Sequence, residues 1–89
     1  MASRAQRHLA AIHRLPCVVH LKCYGQKVNA EEAHHLESVR ASHSDFATIP
    51  LCKDCHEQLH QMRRRPFYRA HKLDDVRLLA WTIELLEAA

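Results

Sequence analysis

At 89 residues, 47% of them hydrophobic and with a formal net charge of +3, the chain has material for one domain, 1–89, and too little for a large core. No stretch approaches the ~20 apolar residues a membrane span needs, so no membrane partner is expected. The N-terminal "MASRAQRHLAAIHRL" has arginines spread through a short, interrupted apolar run rather than a secretory signal, so a cytoplasmic, reducing setting is expected.

Residues 3–15 are expected to be a helix or arm, with Ser3 as cap and Leu9, Ile12 and His13 on one side; Pro16 ends it. "CVVHLKCYG" then reads as a tight knuckle in which Gly25, the only glycine, turns the chain and closes the loop from Cys17 to Cys23. "KVNAEEAHHL" and "DFATIPL" read as two strands of a hairpin with a long polar loop, the second alternating Phe46, Thr48 and Pro50 with Ala47, Ile49 and Leu51. "KDCHEQLHQM" reads as a helix from Lys53 to about Met62, stopped before Pro66, and a basic turn follows. "LDDVRLLAWTIELLEAA" is expected to be a final helix with an acidic first turn suited to the helix dipole. Its apolar stripe would be Leu73, Val76, Leu79, Ile83 and Leu86, widened by Trp81 and Leu85. The layout is α+β: an N-terminal helix, a central segment 16–62, and a basic turn with a C-terminal helix over 63–89.

Charge is distributed unevenly. Residues 1–30 carry five Lys/Arg and no acid, 31–60 two basic and six acidic residues, and 61–75 five basic and two acidic. Basic flanks around an acidic middle suit a polyanion such as nucleic acid, although solvated surface charge looks the same.

Four cysteines and nine histidines in a small reducing-compartment chain point to metal rather than disulfides. Cys17-x5-Cys23 and Cys52-x2-Cys55 can bring four thiolates to one zinc ion, a staple for a small core. Cys17, His20, Cys52 and Cys55 form the competing set; Cys23 is preferred because thiolate is the softer ligand. His56 and His60, four apart on a helix, project from one face and can reach a single ion. His34 and His35 are neighbours on a strand, so they point to opposite faces: one can hold the ion and the other do something else. Three imidazoles would leave positions open on a catalytic ion. Read alone, Cys52-x2-Cys55 also fits a thiol redox motif, but the alternating strand and helix pattern that accompanies one is missing.

"EEAHHLES" followed by "SDFATIPLCKDCHEQLH" resembles the HNH, or ββα-metal, nucleases, and within them the small phage-type members similar to recombination-enhancement nucleases. The resemblance covers about residues 16–62. It implies a zinc-stabilised ββα-metal domain with flanking helices that hydrolyses DNA phosphodiester bonds with little sequence preference. It implies His34, His56 and His60 as ligands of a catalytic Mg2+, Mn2+, Ni2+ or Zn2+ ion, and His35 as the general base. The asparagine usual in the motif, which braces the loop carrying the base, is absent; Asp45, or Ser44, stands in that region and would do the same by hydrogen bonding. DNA, single- or double-stranded, is the implied partner, with a recombinase or another phage or host DNA-processing protein beside it, and the chain is expected to be a monomer. Arg40, Arg63, Arg64, Arg65 and Arg69, with Lys72, are expected to contact phosphates, and Phe67 and Tyr68 to stack on unpaired bases. The alternative reading is a non-catalytic zinc-stabilised nucleic-acid-binding or adaptor module with a decayed HNH site.

Overall fold

The computed structural model describes residues 1–36 and 44–89; Arg40 lies outside them. Helix α1 spans Arg4–His13 and starts at a capping box. Ser3 Oγ accepts from the Gln6 N–H at 3.1 Å, and Gln6 Oε1 accepts from the Ser3 N–H at 2.8 Å, so two otherwise orphaned donors are satisfied reciprocally. Ile12 is its buried anchor; His13, expected on the same apolar side, is exposed.

The segment expected as an irregular knuckle is a second helix, α2, Val18–Tyr24. Cys17 is its N-cap and Gly25 its C-cap, at φ +66°. The left-handed conformation is the one glycine adopts without steric cost, so Gly25 ends a helix rather than closing a loop onto Cys23. Strand β1 (Glu32–His35) pairs antiparallel with β2 (Thr48–Leu51), with His34 opposite Ile49 and His35 opposite Thr48. Both are shorter than the extended segments expected. The alternation expected in β2 is not expressed, because all four of its residues are buried. Pro16 and Asn29 form an isolated bridge that holds the approach to α2 against the approach to β1.

Helix α3 (Lys53–Met62) follows β2 directly, with Cys52 as N-cap. The expected basic turn is instead helix α4, Arg64–His71. Pro66 falls in the first turn of α4, where a missing N–H removes no intrahelical bond. Arg63 joins the two helices at φ +69°, ψ 164°, a region populated almost only by glycine and costing of order 1–3 kcal/mol. Arg63→Gly is therefore expected to raise the thermal midpoint by roughly 4 °C or more in a scan, at ~1 kcal/mol net gain; an unchanged or lower midpoint would show that the junction is not strained.

Helix α5 (Asp75–Ala88) is capped by Asp74, whose side chain accepts from the Arg77 N–H at 2.7 Å. Its inner face matches the expected stripe only in part: Leu73 is in the core and Leu79 packs on it. Leu78 and Thr82 are buried, with Trp81 and Leu85 packed beside them, whereas Val76 is 80% and Ile83 50% exposed. Thr82 is accommodated because its hydroxyl donates to the Leu78 carbonyl at 2.8 Å. The core is one cluster that takes Val18 and Val19 from α2, Ile49 and Leu51 from β2, Leu59 from α3, Phe67 from α4 and Leu78 from α5. The outcome is a small α+β fold with a two-stranded sheet and five helices among the described residues. None of these helices is long and apolar enough to cross a membrane.

Candidate metal centres and basic surface

Two helix N-termini meet at one cluster. Cys17 caps α2 and His20 lies three residues on; Cys52 caps α3 and Cys55 lies three residues on. Positions three apart share a helix face, so each helix offers two donors to the same point. The ligand atoms of Cys17, His20, Cys52 and Cys55 all lie within 4.8 Å of one another. His20 Nδ1 is 3.4 Å from both Cys52 Sγ and Cys55 Sγ. Sulfur and nitrogen bound tetrahedrally to one zinc ion stand about 3.6 Å apart, and three thiolates with one imidazole is an established structural zinc set. The donors therefore fit a metal ion.

The preference for Cys23 as fourth ligand is corrected. Six residues after Cys17, it falls about 120° round α2 from it. Its Sγ instead lies 4.0 Å from the His71 carbonyl oxygen, and burial pushes the thiol pKa up. The signal for His20 was its three-residue offset from Cys17, the spacing that made it the competing ligand and that the helix turns into a shared face.

The cluster's electrostatics favour metal. A hydrogen bond from Cys55 holds the Cys17 thiol well below its ordinary range, while the same contact pushes Cys55 up; burial raises Cys52. One thiolate shared among protonated thiols is a state a divalent cation would replace by displacing the remaining protons. The Cys55 N–H also donates to Cys52 Sγ at 3.4 Å, adding to the stabilisation of negative sulfur at a helix N-terminus.

His34, His56 and His60 lie beside one another, but among the described residues only Cys17, His20, Cys52 and Cys55 converge closely enough to hold an ion as they stand. His56 and His60, one turn apart on α3, hold their Nε2 atoms 3.1 Å apart, within the roughly 2.9–3.4 Å of two nitrogens sharing one ion at ~2.0–2.1 Å. The His34 ring centroid lies 5.3 Å from that of His56 and 6.3 Å from that of His60. Strand alternation operates as expected: His34 is buried and His35 exposed. Burial first, then His56 and His60, lowers the His34 pKa to about 4, so its ring is neutral, with a lone pair to donate, across the physiological range.

On the opposite side of β1, His35 Nε2 lies 2.8 Å from Asp45 Oδ1. An ionised carboxylate only accepts, so Nε2 carries the proton and the neutral ring keeps its lone pair at Nδ1. Asp45 is itself held: Thr48 Oγ1 donates to its carbonyl at 2.8 Å, and the Ala47 N–H donates to the Ser44 carbonyl at 3.0 Å. Asp45 thus partners the ring of His35 directly, where bracing of the surrounding loop was expected.

The expected arginine patch is divided. Arg63, Arg65 and Arg69 are exposed. Arg64 is half-buried, with Nη1 3.6 Å from Asp75 Oδ2. Phe67 is a core residue, and Tyr68 Oη donates to Asp75 Oδ1, so neither is a free stacking platform. Asp75, missed in the sequence, sits where its charge acts on His34. Between α4 and the start of α5 a groove of about 500 Å³ is lined by Arg64, Arg65, Arg69, Tyr68 and Val76.

Compared with known proteins, the chain matches no family model, no curated protein and no solved structure.

Proposed function

We propose that the chain is a metal-dependent endonuclease of the HNH type that hydrolyses DNA phosphodiester bonds with little sequence preference, its fold stapled by zinc at Cys17, His20, Cys52 and Cys55. The observation that carries this reading is the division of labour at the histidine pair: His34 faces His56 and His60, while His35, on the other face of the same strand, is paired with Asp45. A divalent ion held by His34, His56 and His60 would supply Lewis-acid stabilisation to the scissile phosphate and the leaving 3′ oxygen. His35 accepts the proton of the attacking water at Nδ1. Asp45 fixes the ring orientation and favours the imidazolium that results. Arg63, Arg65 and Arg69 hold the backbone through phosphates, which carry no sequence information.

Native mass spectrometry separates this from the adaptor reading, which the missing asparagine favours. A nuclease binds one tightly held ion and a second, exchangeable one that His56→Ala removes; an adaptor binds only the first. Changing Arg63, Arg65 and Arg69 together to Ala is expected to weaken DNA binding and to flatten the dependence of log K on log salt by about 2–3, at ~0.9 for each phosphate no longer neutralised. An unchanged slope would take these residues out of the interface.

A further inference from the structure

Helix α1 breaks a local rule. Arg4 lies in its first turn and Arg7 opens the second, and no acid stands in the first, so basic charge sits at the positive end of the helix dipole with no acid to offset it. No ion pair among the described residues engages Arg4, Arg7 or Arg14, and all three are exposed. At 100° per residue they fall within an arc of about 80°, a stripe about 15 Å long. A local preference violated with no ion pair among the described residues to offset it points to a partner outside the chain.

The stripe's place says what that partner is. His8, next to Arg4 round the helix, packs its ring on Phe46 with centroids 5.0 Å apart, and Phe46 follows Asp45, the residue bonded to His35. Helix α1 therefore borders the His35 side of β1. Helix α4 packs against α3, the helix whose His56 and His60 meet His34, so its arginines belong to the His34 side of β1. Two basic surfaces flank the histidine pair, one on each side.

We infer that α1 is a second phosphate-binding surface and that the substrate is a duplex, one strand held by the α4 arginines and the other by Arg4, Arg7 and Arg14. A stripe of about 15 Å spans four to five base pairs at 3.4 Å each. The inference rests on the nuclease reading for its substrate, but it concerns binding and is tested without cleavage.

The test measures fluorescence anisotropy of a 20-base-pair duplex and of one of its strands, without added divalent ions, over a range of salt. Wild type is compared with the Arg4→Ala, Arg7→Ala, Arg14→Ala triple variant and with the corresponding triple Lys variant. The Ala variant is expected to lose at least 10-fold in duplex affinity and to flatten the salt slope by about 2–3, with less than a threefold change on the single strand. The Lys variant, which keeps the charge, is expected to stay within about threefold of wild type on both. All three positions are exposed and Ala favours helix, so folding is preserved, which retention of the tightly bound ion verifies. An unchanged duplex slope would overturn the α1 contact and leave the nuclease reading standing, and equal losses on duplex and single strand would overturn the duplex assignment. Wild type that binds neither probe would instead defeat the nucleic-acid reading itself, and this inference with it.

Discussion

Cys52→Ser is expected to release the tightly bound ion and to lower the thermal midpoint by about 20 °C or more, or to abolish cooperative unfolding. Cys52 joins the approach to α3 to the α2 cluster through His20, 3.4 Å away, so its loss opens the junction between two helices that both contribute to the core. Structural zinc contributes about 10–16 kcal/mol in small zinc-dependent peptides, against a total stability of roughly 5–15 kcal/mol for a folded domain. Losing even ~4 kcal/mol moves the midpoint of a chain this size by about 16–32 °C. The cluster also makes a comparative claim. His20→Ala is expected to lower the midpoint almost as far, whereas Cys23→Ser keeps the ion and shifts it by no more than about 5 °C. The reverse order, in a thermal scan paired with metal counting, would restore Cys23 as the ligand.

Replacing Asp45 gives the second large effect. With Ala at this position, His35 loses its Nε2 partner at 2.8 Å, and the ring is free to rotate and to exchange tautomers. With Asn, the side chain keeps its shape but can present an N–H to Nε2, which favours the proton on Nδ1, the atom proposed to accept one. Both Asp45→Ala and Asp45→Asn are therefore expected to slow cleavage by about 10- to 100-fold, within the range general-base assistance supplies, while the metal count and the midpoint change little. Asp45→Asn matching wild type in single-turnover cleavage would show that the carboxylate does not set the tautomer.

How much was legible in the sequence depended on whether a spacing had meaning before the element was known. His34 and His35 were readable because neighbours on any regular strand diverge, and His56 and His60 because "KDCHEQLHQM" has few competing conformations. The fourth ligand of the cysteine cluster was not. With "CVVHLKCYG" read as a knuckle, softness favoured Cys23; once Val18–Tyr24 winds as a helix, geometry turns Cys23 away and brings His20 in. The α5 face was legible only in part, for a different reason. That helix is apolar on most sides, so periodicity could not choose between the Leu78, Thr82 and Leu85 face and the Val76 and Ile83 face; packing against α2 and β2 chose it. At α4, three consecutive arginines and a proline looked like a turn, and the burial of Phe67 made it a helix instead.

The nuclease assignment meets its most direct test in plasmid nicking with added Mg2+, Mn2+, Ni2+ or Zn2+, comparing wild type with His35→Ala. The expected result is ion-dependent conversion of supercoiled to nicked plasmid by wild type, about 10²- to 10⁴-fold slower in the variant, with both proteins retaining the ion at Cys17, His20, Cys52 and Cys55. Equal cleavage by the two proteins, or none by wild type with any of the four ions, would contradict it.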